Sequence, residues 1–384
     1  MARRRGNHEG SIHQLPSGTY RAQITLQGQR LSFTASTRKQ CHEWLKQTYR
    51  QIDDGLSLTA TKITLGEYMS NWLSTTKSAI RHTTWVHYEQ VTRCYIVPRI
   101  GQLKIRELQP EHIQGLYISL QEQGVGAWTI QKIHGVLHSA LGYALKLGMI
   151  GRNPISIAQP PKAPAKEMTI LNESQVNQLL VIATAHRWQA LFHLAIATGA
   201  REMELLGLRW NDLDWVRQTL KVERQLVRPN GNGVQFSAPK TRFGKRSIAL
   251  GSKTIDVLRM HYERQQAERL AAGEQWEEYD LIFTTSNGTP IHPRNLLRDF
   301  KKLLKEAGLP PIRFHDLRHT AASLMLNHNV PPIVVSRRLG HAKASITLDV
   351  YGHLIPSLQT EAAEMIDELI TPFPLSMQNL EIEQ

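Results

Sequence analysis

Residues 313–353 of the chain read RFHDLRHTAASLMLNHNVPPIVVSRRLGHAKASITLDVYGH. His315 and Arg318 lie at one end of this stretch, His341 lies near its middle, and Tyr351 lies at the other end. Imidazole and guanidinium groups can hold an oxyanion or move a proton, and a tyrosine hydroxyl can act as a nucleophile. The concentration of these groups in one short segment indicates a reaction site.

Length and composition predict a multidomain globular protein. The 384 residues correspond to two or three domains at roughly 100–200 residues each, and 41% hydrophobic residues are ordinary for such a protein. Its two cysteines, Cys41 and Cys94, form no CxxC pair, so a disulfide framework is not expected and a reducing compartment fits. No apolar run approaches the ~18 residues of a membrane span, and no signal peptide follows the basic N-terminus, so we expect a cytosolic protein.

The formal net charge of +13 is unevenly distributed. Residues 1–62 carry 10 basic and 4 acidic side chains, residues 63–167 carry 11 and 6, and the remaining residues have an excess of only two positive charges. This distribution is expected if the first two segments lie along a polyanion such as DNA. A basic soluble surface without a nucleic-acid partner would give the same numbers.

The pattern predicts three domains and one linker. Residues 1–62 carry three short strand-like stretches and a helix, and residues 63–150 carry four apolar stripes of helical period. Residues 151–167 contain four prolines and no periodicity, as a linker does. Residues 168–384 read as a mostly helical domain with a small sheet inserted early. We therefore expect a mainly α-helical protein with a three-stranded N-terminal sheet, a four-helix domain and a mixed α+β third domain.

Basic side chains in the first domain are suited to phosphate contacts, although exposed arginines on a solvated surface are common. They are Arg3, Arg4, Arg5, Arg21 and Arg30.

Two pairs of residues in the third domain have helical spacing. Arg201 and Glu204 stand at i and i+3, which allows the carboxylate to aim the guanidinium, although an ordinary ion pair has this spacing too. His315 and Arg318 have the same spacing and can point at one target. His315 and His319 at i and i+4 resemble half a zinc site, but no third ligand is evident, so we expect no metal.

Two further polar residues, Lys240 and His341, stand at predicted turns from which their side chains could reach a reaction site. Lys240 lies between two strand-like runs, where a hairpin tip can carry an ammonium into a cleft, and His341 follows a glycine that permits a turn. Taken singly, a solvated lysine and a surface histidine explain them equally well.

Five motifs occur in a fixed order: ATGAREMELLGLRW, PKTRFGKRSIAL, HDLRHTAASLML, RRLGH and TLDVYGH. Together they resemble the tyrosine recombinases, the phage-integrase type of site-specific recombinase, and the segments before them resemble an arm-site-binding and a core-site-binding domain. The resemblance implies that Tyr351 is the nucleophile and that Glu204 supports the first arginine. The activating residues that it implies are Arg201, Lys240, His315, Arg318 and His341. Met203 departs from the family, which often has a small residue there, and we expect it to tune rather than abolish activity.

The implied chemistry explains these residue types. Attack on a DNA phosphodiester adds negative charge to the phosphate oxygens. Arg201 and Arg318 would bind the phosphate and stabilise that charge without any cofactor. An unperturbed phenol is protonated at neutrality, so a base is needed, and His315 is the better candidate, with His341 donating to the phosphate. Lys240 is the candidate acid for the leaving 5′-oxygen. The resulting 3′-phosphotyrosine would be resealed by another 5′-hydroxyl.

The resemblance also implies partners: double-stranded DNA at core and arm sites, a tetramer of the chain, and a DNA-bending accessory protein or excisionase. Action on DNA in the bacterial cytoplasm follows. A helix predicted over residues 357–370, with an apolar stripe at Leu358, Ala362, Met365, Ile366 and Leu369, would dock on a neighbouring protomer.

Two alternatives remain for the function. A type IB topoisomerase-like enzyme uses similar chemistry, but does not need the N-terminal sheet module. A DNA-binding regulator with a decayed active site should have lost at least one of the six activating and nucleophilic residues.

Overall fold

The computed structural model describes residues 10–26, 29–53, 62–164, 168–228, 233–239, 242–351 and 359–370. It forms two compact units, Met1–Ala165 and Lys166–Gln384. Within the described ranges, no helix is long and apolar enough to cross a membrane.

The first unit begins with an antiparallel three-stranded sheet packed against one helix. Its strands, in the order β1-β2-β3, are β1 (Ser11–Gln14), β2 (Tyr20–Leu26) and β3 (Gln29–Ala35), and the helix is α1 (Arg38–Asp53). Ala22 and Ile24 alternate along β2 and are buried with Cys41 and Leu45 of α1 in a small separate core. The predicted three-stranded sheet with its following helix is confirmed.

The rest of the first unit is a helical bundle. Its helices are α2 (Leu65–Thr76), α3 (His82–Val91), α4 (Val97–Ile100), α5 (Pro110–Glu122) and α6 (Ala127–Lys146), and a π-helical turn, Thr92–Ile96, joins α3 to α4. A capping box between Thr64 and Glu67 starts α2. The Tyr68 hydroxyl donates to the Ala140 carbonyl at 2.6 Å and fastens α2 to α6. The aromatic residues of α2 therefore belong to the core, because Tyr68 and Trp72 are both buried.

The predicted linker is packed in its first half. A 3₁₀ turn, Pro154–Ser156, follows α6, and Ile155 and Ala158 are buried in the helical core. The proline content of this stretch concealed the packing, because two apolar residues without periodicity give no helix or strand signal. The division between the two compact units falls farther along, between residues 165 and 166.

The second unit is mixed α+β. Three helices open it: α7 (Glu173–Ala183), α8 (Gln189–Thr198) and the short α9 (Glu202–Leu205). Five short strands follow: β4 (Leu213–Asp214), β5 (Thr219–Val222), β6 (Gln225–Val227), β7 (Gln235–Ser237) and β8 (Arg246–Ala249). They form an antiparallel sheet in the order β4-β5-β8 and a separate β6-β7 pair. Residues 220–227 have the sequence of one continuous strand-like run, but the structure divides them between the two sheets.

Six helices complete the described part of the second unit. They are α10 (Ser252–Ala272), α11 (Pro293–Glu306), α12 (Asp316–Asn327), α13 (Pro332–Leu339), α14 (Ala344–Tyr351) and α15 (Gln359–Ile370). Phe192, Phe300 and Phe314 meet in the main core with ring centroids 5.4–6.3 Å apart. This aromatic cluster fixes α8 and α11 against the residues that lead into α12, and so positions the start of α12.

Candidate active site

Arg201 is held at the start of α9 by Glu204. Helix α8 ends at Gly199, whose left-handed φ of 61° turns the chain sharply. The Arg201 backbone N–H donates to Glu204 Oε2 at 3.0 Å, and its Nη1 donates to Oε1 at 2.8 Å. One carboxylate therefore fixes both the backbone and the side chain of the arginine. The i, i+3 pair predicted from the sequence is present.

A second arginine, Arg246, shares the same carboxylate. Its Nη2 donates to Glu204 Oε2 at 2.9 Å, and its Nε donates to the Arg338 carbonyl at 2.7 Å. Burial alone would raise the pKa of Glu204, but the Arg246 and Arg201 guanidinium groups outweigh it and hold the pKa below its ordinary value.

Sequence reasoning assigned no role to Arg246, although a signal was available. Arg246 and the buried Ile248 stand two apart on β8 and so share one face of the strand. An arginine on a buried strand face needs an anionic partner.

Arg318 lies buried on α12, with 4% of its surface exposed. Its Nη1 donates to the Gly199 carbonyl at 2.7 Å, which ties α12 to the end of α8. Its Nη2 is also buried and has no hydrogen-bond partner within the described part of the chain. Burial, together with the nearby Arg201 and Arg246, lowers the pKa of Arg318 to about 9. A buried donor among three guanidinium groups is an anion-binding arrangement.

The two predicted histidines lie in the same field of positive charge. Burial lowers the pKa of His315 to about 4, helped by His319 and Arg318. Burial also lowers the pKa of His341 to about 4, helped by Arg318 and Arg201. Both rings are therefore neutral near pH 7 and can each donate one N–H.

His341 is oriented by its neighbours. Its backbone N–H donates to the Ser336 carbonyl at 3.0 Å, and its Nδ1 lies 2.8 Å from the hydroxyl of Thr347. When that hydroxyl donates to Nδ1, Nε2 carries the proton and is available to an oxyanion.

Tyr351 is the last residue of α14 and is only 1% exposed. Its ring packs among Ala322, Leu326, Val335 and Leu339. Its hydroxyl lies 2.6 Å from Nδ1 of His319, which stands on α12 four residues after His315. Burial raises the pKa of Tyr351 to about 12, while the nearby Arg318 opposes that shift. The hydroxyl thus lies near Arg318 and is in contact with His319, a histidine that sequence reasoning considered only as half of a metal site.

Some predicted site residues lie outside the described residues, namely Lys240 and the three arginines Arg3, Arg4 and Arg5. Met203 is described, and it packs against the main core of the second unit. The adjacent Glu204 forms ion pairs with Arg201 and Arg246. Among the described residues, no group of three or more His, Cys, Asp or Glu side chains is arranged to hold a metal ion.

The arginines predicted on the N-terminal sheet share one face of it. Register pairs Arg21 with Thr34 and Arg30 with Thr25, and the residues between them on this face, Gln23 and Ser32, are polar. Arg21 Nε donates to Thr34 Oγ1 at 3.2 Å, and Arg30 Nη2 donates to Gln23 Oε1 at 2.6 Å. The opposite face packs on α1. This face of the sheet is therefore basic and polar from end to end.

Comparison with known proteins gives consistent matches. Residues 169–357 match the model described as the phage integrase family, and residues 64–121 match the phage integrase, N-terminal SAM-like domain. A protein from Caldanaerobacter subterraneus subsp. tengcongensis, named tyrosine recombinase XerC-like, is 32% identical over 359 residues, covering 88% of this chain and 92% of the relative.

Two solved structures share the fold. The Tn1549 transposon integrase in complex with a circular intermediate DNA has a TM-score of 0.69 at 20% identity, covering 80% of this chain and 99% of that chain. The lambda integrase tetramer bound to a Holliday junction has a TM-score of 0.56 at 18% identity, covering 90% and 96%.

Proposed function

The chain belongs to the tyrosine recombinase (phage integrase) family of site-specific recombinases, and we propose that it cuts and rejoins DNA strands with Tyr351 as the nucleophile. The reaction integrates or excises a mobile element, as the transposon and phage relatives suggest. The covalent intermediate is a 3′-phosphotyrosine, so the energy of the broken phosphodiester is kept and no nucleotide cofactor is needed.

The single observation that carries this proposal is the group of arginines around the buried Arg318, which itself lies near the Tyr351 hydroxyl. Arg201 and Arg318 come from separate elements more than a hundred residues apart, yet both influence the same histidine, His341. A phosphodiester bound there would accept from Arg318 Nη2, which otherwise lacks a partner among the described residues. Fixed guanidinium donors stabilise the charge that develops on the phosphate oxygens during attack.

We assign the remaining steps to the other predicted residues. His341, with Nδ1 engaged by Thr347, donates from Nε2 to a phosphate oxygen. Lys240, outside the described residues, is proposed as the acid that protonates the leaving 5′-oxygen. His315 stands in the same field and adds a second imidazole to the phosphate site.

The DNA is proposed to bind both units. Arg21 and Arg30 would contact arm-site phosphates from the polar face of the N-terminal sheet, joined by Arg3 to Arg5 from the N-terminus. Residues 63–150 would hold the core site, and residues 168–384 would perform catalysis. A protein that bridges arm and core sites needs bent DNA, so a DNA-bending protein or an excisionase is the proposed accessory partner. The proposed location is the bacterial cytoplasm, on DNA.

Self-association is proposed through the C-terminal helix. The described apolar side chains of α15 are largely exposed, with Met365 at 60% and Leu369 at 74%. Such a face on one side of a helix is suited to packing against a second copy of the chain. The lambda integrase is a tetramer on a Holliday junction, which supports the same assembly here. Leu358 and Ala362, predicted on this stripe, have side chains outside the described residues.

A nicked suicide substrate tests the proposal. Footprinting on the DNA that flanks the gene would first locate the core site, and a nick next to the cleavage point would let the 5′-hydroxyl fragment leave. The wild-type chain should accumulate a covalent 3′-linked complex, and Tyr351→Phe should bind the same duplex without forming one. Equal trapping by both proteins would refute Tyr351 as nucleophile. Binding without trapping by the wild type would favour an inactive regulator.

A further inference from the structure

A hydrogen bond joins His319 to the proposed nucleophile, Tyr351. The two residues lie 32 positions apart, on α12 and α14, and His319 Nδ1 lies 2.6 Å from the tyrosine hydroxyl. Their ring centroids are 5.6 Å apart at an interplanar angle of 52°. The His315 ring stands at 86° to that of His319, at a centroid distance of 5.3 Å. Of these two histidines, His319 is the one in contact with the hydroxyl.

The protonation states of the two groups allow the phenol to donate this hydrogen bond. Burial lowers the pKa of His319 below its ordinary value, so the ring is neutral near pH 7 and has one N–H and one lone pair. Burial raises the pKa of Tyr351, so the phenol keeps its proton. The phenol can therefore donate to Nδ1, and the imidazole N–H is then on Nε2.

We propose that His319 is the general base that takes the proton of Tyr351 during strand cleavage. The inference rests on the proposed function and adds a residue to it, because the sequence alone favours His315 as the base. A phenol at rest is too weak an acid for this ring, but its acidity increases steeply as the oxygen bonds to phosphorus. The proton then moves to the imidazole within the same transition state.

Atoms and charges balance in this step. The Tyr351 O–H bond breaks, its proton goes to Nδ1, and the electron pair forms the bond from the phenol oxygen to phosphorus. The bond from phosphorus to the 5′-oxygen breaks, and that oxygen takes a proton from the acid. In resealing, an incoming 5′-hydroxyl gives its proton back to the acid, and His319 returns its proton to the departing tyrosine oxygen.

Charged and titratable groups surround His319 on more than one side. They are Asp316 and Arg318 on α12, Arg313 and His315 just before it, His341 before α14, and Tyr351 itself. Asp316 raises the pKa of His319, while Arg313 and Arg318 lower it. Asp316 is itself paired with Arg313 at 2.5 Å, which leaves His319 as the neutral group in contact with the hydroxyl.

The test compares His319→Asn with the wild type in single-turnover cleavage of the suicide substrate. Asparagine keeps a polar atom near the position of Nδ1 but cannot take a proton at neutral pH. We expect cleavage at pH 7 to fall by about 100-fold or more, with DNA affinity unchanged. The rate of the variant should rise with pH almost in proportion to hydroxide, because solvent must then remove the phenol proton. His319→Gln serves as a second variant if His319→Asn unfolds.

A substrate with sulfur in place of the leaving 5′-oxygen separates base from acid. A thiolate leaves without a proton, so this substrate should restore cleavage to Lys240→Ala and leave His319→Asn slow. Cleavage by both His319 variants within about twofold of the wild type would overturn the inference while the proposed function stands. The inference would also be overturned if the sulfur substrate restored the cleavage rate of His319→Asn. It would be overturned as well if the cleavage rate rose with hydroxide in His315→Asn but not in His319→Asn. A wild type that forms no covalent complex would instead refute the proposed function.

Discussion

At the scale of single residues, Glu204 serves two arginines at once. Its side chain is 2% exposed, and that of Arg246 is 6% exposed, so neither charge can be solvated if the other is removed. We expect Glu204→Gln to lower the free energy of unfolding by about 3 kcal/mol, because it leaves a buried arginine without its anion. Urea denaturation of the two proteins at pH 7 measures this difference.

A matched control is the exposed pair of Arg217 and Asp214, which has the same i, i+3 spacing at 4.0 Å. Asp214→Asn should change the free energy of unfolding by less than about 1 kcal/mol. Glu204→Gln should also slow strand cleavage, since Arg201 loses the group that aims it. Equal stability losses in the two variants would show that Glu204 acts as an ordinary surface charge.

Glu202 is a second carboxyl in an unusual setting. Burial raises its pKa to about 7, and its Oε1 is buried without a hydrogen-bond partner among the described residues. A carboxyl with a raised folded-state pKa favours the native state less as pH rises from about 4.5 to about 7. Glu202→Gln should therefore stabilise the protein at pH 8 relative to the wild type, by about 1–2 kcal/mol after allowing for partial exposure.

The measurement is the difference in free energy of unfolding between variant and wild type at pH 5 and at pH 8. The gain should be larger at pH 8. Glu274→Gln, at an exposed position, serves as the control. A Glu202→Gln gain that is the same at both pH values would show that the carboxyl is not held protonated by burial.

At the scale of elements, the turn between α8 and α9 controls the arginine cluster. Gly199 has a φ of 61°, and a Cβ there would lie 2.4 Å from Cδ2 of Leu339. Its carbonyl also accepts the hydrogen bond from Arg318 Nη1. We expect Gly199→Ala to cost about 1–3 kcal/mol of stability and to reduce cleavage more than DNA binding, because the Arg318 anchor shifts.

The control for this variant is Gly135→Ala. Gly135 lies exposed within α6, and a Cβ there would meet nothing within 4 Å. Alanine is the better helix former, so this variant should be more stable than the wild type by about 0.5–1 kcal/mol. Thermal unfolding and single-turnover cleavage measure both variants. A Gly199→Ala protein as stable and as active as the wild type would mean that the turn tolerates a side chain.

Helices with a clear apolar period could be predicted from the sequence, whereas contacts between separate elements could not. The stripe containing Tyr68 and Trp72 has the helical period of α2, and both side chains are buried as that period requires. The contact of His319 with Tyr351 joins residues 32 positions apart, and no local pattern encodes it. The break between β5 and β6 was missed because the residues on both sides of it are equally strand-like.

The candidate site likewise contains contacts that sequence spacing predicts and contacts that only the folded structure reveals. Arg201 and Glu204 could be paired from their spacing alone, and they are in contact. Arg246 joins them from 42 residues away, and only the antiparallel pairing of β8 with β5 places it there. Residue type and motif order identify the members of such a site, whereas partner and protonation state depend on the packing around them.

At the scale of the whole molecule, the basic excess of residues 1–62 should be visible as a salt effect on DNA binding. Arg21 and Arg30 lie on the polar face of the sheet, away from α1. Removing one arginine that binds a phosphate should reduce the slope of log affinity against log salt by about 0.9. The double variant Arg21→Ala/Arg30→Ala should therefore reduce the slope for arm-site DNA by about 1.8.

Lys46 provides the control, because it is exposed on α1, on the other side of the sheet. Lys46→Ala should leave the slope nearly unchanged. Titrations of arm-site duplex from low to high salt measure all three proteins. An equal change in slope for Lys46→Ala would mean that the module attracts DNA by its overall charge, without a preferred face.

The proposed assembly through α15 can be tested directly. Ile366 and Leu369 on α15 are more than half exposed, and their burial against a second copy would contribute roughly 1.5–3 kcal/mol for each side chain. Ile366→Asp/Leu369→Asp should therefore prevent pairing of two DNA sites while single-site binding and suicide-substrate cleavage persist. Removal of residues 357–384 should have the same effect. Leu270→Asp, at an 85% exposed apolar position on α10, should leave pairing intact. Normal recombination by the α15 variant would show that protomers associate through another surface, because charges buried in a helix interface would not be tolerated.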